Sequence, residues 1–333
     1  MIYAFSALAF IASLLATLWV RKVALKKSVL DIPNDRSSHS VPTPRGGGLA
    51  IAIVWFTALF FLWFFLDGIS DSLFFAILCG LPVATFGLID DVVSLSPKVR
   101  LFVQVVSASG ALFFLGGLQR IDLGVYTIEW SAILSIIAVI AVVWFINLFN
   151  FLDGIDGYIS TEVVFICVAL FILTNNWLLL ILVAAVAGFL VWNWPPAKIF
   201  MGDVGSTLLG FNVAIFSIYF QNTNQLSILN LLMLSSLFWF DATLTLLRRF
   251  LNKEDLSKAH RNHAYQRIVQ YGFSHQKTVL FGLFVNVLFF GLALVGVYYK
   301  ALVPLCFLLC LVVLFALTKL VDKRKPFPSS NSK

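Results

Sequence analysis

Long apolar runs follow one another through almost the whole of this sequence, and they restrict its fold more than any other feature. An α-helix needs about 20 apolar residues to cross the hydrocarbon core of a bilayer. Runs of this kind predict eleven spans, at residues 2–20, 47–66, 72–89, 100–118, 131–149, 158–174, 177–193, 205–221, 227–247, 278–298 and 301–320. Of the 333 residues 60% are hydrophobic, against about half in soluble domains. The predicted fold class is therefore all-α, a polytopic transmembrane helical bundle with one domain at 1–321 and a tail at 322–333.

The basic residues predict how this bundle is oriented. Counted over alternate loops, 21 of the 23 Lys and Arg residues fall on one side, and only Arg120 and Lys300 fall on the other. The positive-inside rule makes the basic side cytoplasmic, with a periplasmic N-terminus and a cytoplasmic C-terminus. Because basic residues follow the run at 2–20 and none precedes it, we predict a retained helix there, not a signal peptide. The net charge of +7 thus reflects membrane topology and lipid contact, and no nucleic-acid partner is expected.

The motif FMGDVGS, residues 200–206, places a carboxylate in a short polar loop between two apolar runs. A carboxylate at the edge of the hydrocarbon layer is costly and is rarely retained without a task. The neighbouring glycines let backbone N–H groups approach an anion, and a carboxylate suits a hard cation such as Mg²⁺. We predict that Asp203 is a metal ligand facing a phosphate. The alternative is a simple Gly-Asp turn between two helices.

Two adjacent carboxylates, Asp90 and Asp91, end the third predicted span, and Lys98 and Arg100 begin the next. Neighbours on a helix point about 100° apart, so both cannot face one point unless the helix ends there. We expect one of them to face a metal or act as a base while the other is held by a nearby cation. A solvated helix end is the alternative.

The segment NLFNFLDGIDGY, residues 147–158, carries Asn147, Asn150, Asp153 and Asp156 at steps of three. Such steps keep side chains adjacent on a helix. Amide and carboxylate oxygens suit Mg²⁺, or the hydroxyl and N–H groups of a nucleoside. An interhelical turn would explain the Asp-Gly pairs but not four polar residues in register, so a functional site is the favoured interpretation.

The long loop after the ninth span contains His260, Arg261 and His263. The loop has no HExxH pattern and no Cys partner that would indicate zinc, whereas Arg and His suit a diphosphate. A basic loop attracted to anionic headgroups is the alternative. In the same part of the chain, Asp241 and Arg248 lie seven residues apart on one helical face, and we expect a buried ion pair between them.

The segment DIPNDRSSHSVPTPRGGG, residues 31–48, precedes the second span. Arg36, His39 and Arg45 are candidates for phosphate contacts. A rigid Pro-rich linker that closes onto a helix start is the structural alternative.

Taken together, PTPRGGG, LIDDVVSLSPKVRL, NLFNFLDGIDG, FMGDVGS and HRNHAYQ resemble, in order and spacing, the polyprenyl-phosphate N-acetylhexosamine-1-phosphate transferases, glycosyltransferase family 4. The likeness runs from about residue 31 to 270. The HRNHAYQ form resembles the O-antigen-initiating branch that uses UDP-N-acetylfucosamine or UDP-N-acetylquinovosamine. The chain departs from many members at Ser37, where they carry Lys, which removes a basic role from that position.

The resemblance implies a role for each matched residue. It makes Asp203 a ligand of Mg²⁺, or of Mn²⁺ in its place, with Asn150 as a second protein ligand, and it places Asp90 and Asp91 near the acceptor phosphate. The residues implied to line the uridine pocket are Asp153, Asp156 and Phe200. Those implied to hold the diphosphate and the sugar are His260, Arg261 and His263.

The resemblance also implies the reaction and its setting. An oxygen of undecaprenyl phosphate attacks the β-phosphorus of a UDP-N-acetylhexosamine, UMP leaves, and polyprenyl diphosphate sugar is formed for O-antigen or related cell-envelope glycans. Asp90 is either a base or positioning group, or a nucleophile that forms an acyl phosphate. The expected place is the bacterial inner membrane with the active site facing the cytoplasm, and a homodimer is left open. A UDP-N-acetylglucosamine transferase of the same family is the alternative, and an ion-coupled transporter is the rival from another class.

Overall fold

The computed structural model describes residues 2–33, 41–66, 68–256, 258 and 260–328. Within them the chain forms fourteen α-helices, one 3₁₀ turn and two short hairpins. The helices are α1 (Ile2–Lys26), α2 (Gly48–Leu66), α3 (Asp71–Leu78), α4 (Gly80–Val92), α5 (Pro97–Leu115), α6 (Ser131–Leu152), α7 (Tyr158–Thr174), α8 (Leu178–Asn193), α9 (Asp203–Asn222), α10 (Ile228–Leu234), α11 (Ser236–Leu251), α12 (Ala264–Gln270), α13 (His275–Tyr298) and α14 (Val303–Arg324). The all-α fold class is confirmed.

Each of the eleven predicted spans lies on one helix or on two consecutive helices. In the described residues eight helical segments are long and apolar enough to cross a membrane, and the pair α10 and α11 adds a ninth if it counts as one span. The remaining two, α7 and α8, have 17 and 16 residues. At 1.5 Å per residue these two are shorter than a hydrocarbon core of about 30 Å. The fold is that of a multi-pass membrane protein, while the count of eleven stays a prediction.

Two predicted spans are broken within the chain. Span 3 is divided at Cys79 into α3 and α4, and span 9 is bent by 82° between α10 and α11. At the second break the carbonyl groups next to the bend are hydrogen-bonded. Leu231 O accepts from Ser235 N at 3.3 Å and from Ser235 Oγ at 3.0 Å, and Leu232 O accepts from Trp239 Nε1 at 2.9 Å. The bend therefore leaves these carbonyls bonded in an apolar environment, where an unpaired one would be costly.

Helix α9 is the centre of the bundle. Seventeen of its twenty residues are buried, and α2, α4 and α6 pack around it. A buried hydrogen bond of 3.2 Å from Trp55 Nε1 to Asn212 Oδ1 joins α2 to α9. The outer helices instead turn large apolar side chains outward, for example Phe113 on α5 and Phe284 on α13. This arrangement fixes the first residue of α9, Asp203, at one end of the bundle, which we call the Asp203 end.

The two short hairpins lie at opposite ends. Strands β1 (Leu30–Asp31) and β2 (Thr43–Pro44) pair antiparallel at the Asp203 end. Strands β3 (Ile121–Asp122) and β4 (Thr127–Ile128) pair at the other end, where Asp122 O accepts a hydrogen bond from Ser227 Oγ in the loop after α9. The loops between helices thus alternate between the two ends.

The predicted ion pair between Asp241 and Arg248 is wrong. Arg248 donates from both terminal nitrogens to the carboxylate of Asp322 on α14, at 3.0 and 2.9 Å, and Arg267 Nη1 donates to the same carboxylate at 2.7 Å. The planar guanidinium prefers this two-pronged contact with a carboxylate on another helix. Asp241 accepts instead from the backbone N–H groups of Ala264 and Tyr265, at 2.8 and 3.4 Å. It therefore caps α12.

Candidate active site

Backbone hydrogen bonds join two of the sequence motifs into one structure. Phe200 N donates to Pro44 O at 2.8 Å, Gly47 N donates to Phe200 O at 2.9 Å, and Gly48 N donates to Met201 O at 2.8 Å. The PTPRGGG and FMGDVGS segments therefore run side by side. This contact brings Arg45 next to Asp203, although the two residues are 158 positions apart.

Asp91 caps the N-terminus of α9. Its Oδ1 accepts from Asp203 N at 2.9 Å, and its Oδ2 accepts from Val204 N at 3.3 Å. Gly202, just before the helix, has φ +76° and ψ 174°, and a Cβ there would lie 2.4 Å from Asp91 Oδ2. Only glycine accommodates both this backbone conformation and the close approach of the carboxylate. The cap thus fixes the position from which the Asp203 side chain extends.

Arg45 bridges two of the carboxylates. Its Nε lies 2.8 Å from Asp91 Oδ1, and its Nη2 lies 2.6 Å from Asp203 Oδ1. Desolvation alone would lower the pKa of Arg45, but the charges of Asp91 and Asp203 outweigh it and hold the pKa above its ordinary value. Arg45 therefore remains a cation at the centre of the acidic cluster.

Arg100 holds the other member of the carboxylate pair. Arg100 Nη1 donates to Asp90 Oδ2 at 2.9 Å and lies 3.9 Å from Asp203 Oδ2, while Asp90 Oδ1 accepts from Leu95 N at 2.5 Å. The sequence predicted that one of Asp90 and Asp91 would be held by a cation. In the structure each has its own arginine, and the two side chains point in different directions. Asp91 faces the start of α9, and Asp90 faces a small pocket.

That pocket lies between α4, α5 and α9, beside the carboxylate cluster. Its volume is about 20 Å³, and its lining contains both polar and apolar residues. Its polar lining consists of Asp90, Arg100, Gln104, Asp203 and Thr207, and its apolar lining includes Val83, Phe86 and Val103. A volume of about 20 Å³ is room for about one water molecule, so the pocket is a small opening that charged and apolar side chains line together.

Asn150 is the polar residue of α6 that reaches the cluster. Its Nδ2 donates to Ser206 Oγ at 3.3 Å, and its side chain also hydrogen-bonds the Asp203 carboxylate. Asn147, one turn earlier, faces away and donates to Gln104 Oε1 at 2.7 Å. Of the two asparagines, only Asn150 is therefore placed to share a ligand with Asp203.

Asp153 and Asp156 follow α6 in the loop that leads to α7, and they have different surroundings. Asp153 is half-buried, and desolvation together with the charges of Asp203 and Asp91 raises its pKa to about 7. Asp156 Oδ2 accepts from Ala197 N at 3.0 Å and lies 3.3 Å from His275 Nδ1. Asp153 thus faces the carboxylate cluster, whereas Asp156 joins its loop to the 195–197 segment and to α13.

The segment with His260, Arg261 and His263 leads into α12 and closes one side of the site. The His260 and His263 rings lie 4.9 Å apart, and burial lowers the pKa of His260 to about 3. Within α12, the Tyr265 ring stacks on Tyr158 at 4.8 Å. The same Tyr265 hydroxyl leaves no room for a Cβ at Gly154, which would lie 2.3 Å from it. Helix α12 is therefore packed directly against the loop that carries Asp153.

The structure brings most of the predicted site residues together. Around Asp203 it collects Arg45, Asp90, Asp91 and Asn150, with Asp153 close enough to affect their charges. Phe200 contributes backbone bonds to the same region. Arg36 and His39 lie outside the described residues.

Three contacts at the site went unpredicted, and a fourth was predicted only in general terms. The sequence predicted that a nearby cation would hold Asp90 or Asp91, and the structure identifies Arg100 as the partner of Asp90. His275 and Asn193 hold the 153–157 loop, since Asn193 Oδ1 accepts from Gly157 N at 3.0 Å. Asp241 caps α12. Their common signal in the sequence is a polar residue inside, or at the start of, an apolar run, which is costly to keep there.

The donor atoms of the site match those that Mg²⁺ prefers. In the part of the chain that the structure describes, four carboxylates, Asp90, Asp91, Asp153 and Asp203, lie near two guanidinium groups, Arg45 and Arg100. Neither at this cluster nor elsewhere does the described part of the chain contain a group of three His, Cys, Asp or Glu side chains that could hold a metal ion. Mg²⁺ usually takes one or two carboxylates and completes its shell with substrate phosphates and water. The hard oxygens of Asp203 and Asn150 fit such an incomplete protein site.

The chain is similar in sequence to known proteins. The profile of "Glycosyl transferase family 4" matches residues 72–221. The chain is 30% identical over 295 residues, 82% of this chain and 79% of the relative, to a probable undecaprenyl-phosphate N-acetylglucosaminyl 1-phosphate transferase of Bacillus subtilis (strain 168).

Two further relatives align over shorter stretches. An undecaprenyl-phosphate alpha-N-acetylglucosaminyl 1-phosphate transferase of Thermotoga maritima is 30% identical over 197 residues, 59% of this chain and 59% of the relative. A phospho-N-acetylmuramoyl-pentapeptide-transferase of Streptococcus sanguinis (strain SK36) is 27% identical over 194 residues, 53% of this chain and 59% of the relative. In both cases the aligned part is less than two thirds of the relative's length.

Proposed function

Because the chain belongs to glycosyl transferase family 4, we propose that it transfers an N-acetylhexosamine 1-phosphate from a UDP-sugar to undecaprenyl phosphate and releases UMP. The chain is an enzyme, a phosphoglycosyltransferase. The observation that carries the proposal is the convergence of Asp90, Asp203, Arg45 and Arg100 at one end of the bundle, beside a small opening lined by polar and apolar residues. Family membership and this one-sided site argue against the ion-coupled transporter.

We propose that the Asp203 end faces the cytoplasm of a bacterial inner membrane. In support, Arg21 Nε donates to Lys198 O at 3.1 Å, and Arg248 and Arg267 meet at Asp322 near the end of α14. These contacts gather basic residues from distant loops at one end, which the positive-inside rule assigns to the cytoplasm. Eleven crossings and a periplasmic N-terminus belong to the same proposal. A UDP-sugar made in the cytoplasm would then reach the site directly.

The acceptor phosphate would bind in the pocket between α4, α5 and α9. There Arg100 would offer positive charge to the phosphate, and Val83, Phe86 and Val103, which line the same opening, would lie near the first carbons of the lipid. The donor diphosphate would lie on the other side of Asp203, toward Asp153 and the His260–His263 segment. Arg45 stands between the two and offsets the repulsion as one phosphate approaches another.

The reaction exchanges one phosphoanhydride for another. An oxygen of the lipid phosphate forms a bond to the β-phosphorus of the UDP-sugar, and the bond from that phosphorus to the bridging oxygen breaks. UMP departs with the electron pair. Asp203 and Asn150 would hold Mg²⁺, or Mn²⁺, which supplies positive charge to the phosphate oxygens when bound. The chain's own contribution is to orient the two phosphates and to balance their charge.

Asp90 is better suited to position Arg100 than to attack phosphorus. Both of its carboxylate oxygens are engaged, one by Leu95 N at 2.5 Å and the other by Arg100 Nη1 at 2.9 Å. These two contacts hold the Asp90 carboxylate against Arg100 and Leu95, which favours a positioning role. If Asp90 only positions Arg100, exchange of labelled UMP into UDP-sugar requires lipid phosphate. Exchange without any lipid would instead support an acyl-phosphate intermediate.

Different observations support different donor sugars. The relatives in Bacillus subtilis and Thermotoga maritima are named for N-acetylglucosaminyl transfer, which favours UDP-N-acetylglucosamine. The HRNHAYQ segment favours UDP-N-acetylfucosamine or UDP-N-acetylquinovosamine and a role at the start of O-antigen synthesis. Of its residues, His263 is buried beside α12.

The deciding experiment measures UMP release by the purified protein with undecaprenyl phosphate and Mg²⁺, offering each UDP-N-acetylhexosamine in turn. Release with one donor, lost on adding EDTA, would support the transferase and identify the sugar. A known family member run in parallel verifies the lipid and the assay. No release with any donor in the panel, while that control works, would contradict the proposed substrates.

A further inference from the structure

A second and larger cavity lies away from the carboxylate cluster. Its volume is about 430 Å³, within the roughly 300–1,000 Å³ typical of small-ligand sites. Residues of α11, α13 and α14 form its walls, and α12 forms its roof at the Asp203 end. Nothing in the proposed transfer reaction uses it.

The walls of this cavity are apolar. They include Leu237, Phe281, Leu314 and Leu317. Two hydroxyl groups among the walls are already bonded to their own helices, Thr278 Oγ1 to Ser274 O at 3.0 Å and Thr318 Oγ1 to Leu314 O at 2.9 Å. The walls therefore favour a hydrocarbon chain over water, since an apolar cavity of this kind offers water few partners.

The rim of the cavity at the Asp203 end is basic. Arg324 and Lys325 line it and are exposed. Arg324 Nη1 lies 3.3 Å from the Tyr271 hydroxyl, and within the described residues neither basic side chain has a carboxylate partner. Arg267, deeper in the lining, is instead neutralised by Asp322. The rim thus presents two uncompensated cations above an apolar cavity.

We propose that this cavity binds one acyl chain of an anionic phospholipid, whose phosphate contacts Arg324 and Lys325. A phospholipid matches both the apolar walls and the charge of the rim, and it surrounds any multi-pass membrane protein. The chain's own C-terminus is a poor occupant, because residues 329–333 read Ser-Ser-Asn-Ser-Lys and carry no apolar side chain.

The bound lipid would also support the active site through α12. Tyr265 and Asp241 both line the cavity. Tyr265 stacks on Tyr158 and contacts the loop that carries Asp153, while Asp241 caps α12. A lipid chain beneath α12 would therefore hold α12 against the loop that carries Asp153. Anionic lipid is thus expected to raise turnover.

A pair of glycines on α13 offers a direct test by filling the cavity. Gly282 lines it, and a Cβ there meets Leu237 Cδ1 and Tyr158 Cε2 at an ordinary 3.7 Å, so a side chain can extend into the space. Gly291, on the same helix, has nothing within 4 Å of its Cβ position and lies outside the cavity. Gly282→Leu should block the acyl chain, and Gly291→Leu is the matched control.

Binding is measured by native mass spectrometry of the full chain, with phosphatidylglycerol or phosphatidylcholine of equal chain length. Wild type and Gly291→Leu should retain one phosphatidylglycerol in preference to phosphatidylcholine, and Gly282→Leu should lose it. Equal retention by the two glycine variants would show annular lipid only and overturn the proposal. The proposal would also be overturned if undecaprenyl phosphate displaced the lipid, or if a second copy of the chain occupied the cavity.

A charge variant tests the rim and does not depend on how Gly282→Leu folds. Changing Arg324 and Lys325 together to Gln should weaken phosphatidylglycerol binding at least about tenfold, because each basic residue near an anionic headgroup contributes to the affinity for it. Lys323→Gln, on the same turn but outside the lining, is the control. Unchanged preference for phosphatidylglycerol in the double variant would overturn the headgroup assignment.

Turnover in nanodiscs then tests the coupling. Phosphatidylglycerol should stimulate wild type and Gly291→Leu but not Gly282→Leu, and equal stimulation of all three would refute a link through α12. The binding experiments need no turnover, so they remain informative even if the proposed transfer reaction is wrong.

Discussion

The carboxylate of Asp91 accepts hydrogen bonds from the first two backbone N–H groups of α9, and the first of these belongs to Asp203, at 2.9 Å. Asp91 also lies 2.8 Å from Arg45 Nε. One of the paired aspartates therefore holds the helix on which the proposed metal ligand stands. Substitutions of Asp91 and of Asp203 should therefore have different effects.

Removing the cap should lower stability. Asp91→Ala deletes an N-cap carboxylate, which typically costs about 0.5–2 kcal/mol, and removes one of the two partners of Arg45. Asp91→Asn keeps a good capping oxygen and should unfold between wild type and Asp91→Ala. Tryptophan fluorescence during heating reports the midpoints. Equal midpoints for wild type and Asp91→Ala would contradict the capping role.

Removing the proposed ligand should affect chemistry far more than stability. Asp203→Asn keeps the shape of the side chain and the backbone bonds to Asp91, but it removes the charge that would hold Mg²⁺. We expect UMP release to fall by a factor of about 100 or more. The variant should insert in the membrane, and although it weakens the contact with Arg45, its unfolding midpoint should fall less than that of Asp91→Ala because the cap of α9 is kept. Near-normal turnover would refute the metal assignment.

Arg100 should act on the acceptor side of the reaction. Arg100→Gln removes the charge that bonds Asp90 and lines the small pocket, so the KM for undecaprenyl phosphate should rise more than the KM for the UDP-sugar. Arg100→Lys should recover only part of the loss, because an ammonium lacks the planar fork. Lys98→Gln, in the same first turn of α5 but outside the pocket, is the control. A larger effect on the UDP-sugar would reverse the proposed arrangement of substrates.

Much of this site was foreseeable from local patterns. Apolar runs predicted the helices, and a carboxylate beside glycines at a span boundary singled out Asp203. The 82° bend after Leu234 was missed, because hydropathy measures how apolar a segment is and not its direction. The partner of Arg248 was missed for a related reason. Asp322 is 74 residues away, and only the packing of α14 beside α11 brings the two together.

Gly202 should tolerate no side chain. Its backbone conformation, φ +76° and ψ 174°, is nearly restricted to glycine, and a Cβ would lie 2.4 Å from Asp91 Oδ2. Gly202→Ala should therefore displace the cap and lower both activity and the unfolding midpoint. Gly116→Ala offers a comparison, since Gly116 has φ +74° at a helix end, where a Cβ meets only the Gln119 side chain. That change should cost about 1 kcal/mol and spare activity. Equal effects of the two substitutions would mean that contact with Asp91 is unimportant.

Asp153 should make stability depend on pH near neutrality. Its pKa is raised from 3.8 to about 7 by desolvation and by the neighbouring Asp203 and Asp91 charges, so between these values the folded state keeps a proton that the unfolded chain releases. The resulting stabilisation is complete below the unfolded pKa and is lost as the pH rises through the folded pKa. The unfolding midpoint of wild type should therefore fall more steeply than that of Asp153→Asn between about pH 4 and about pH 7. Asp71→Asn, at the opposite end of the bundle, should keep the wild-type slope. Parallel slopes for wild type and Asp153→Asn would show that Asp153 carries no extra proton in the folded protein, and that the acidic cluster is compensated without it.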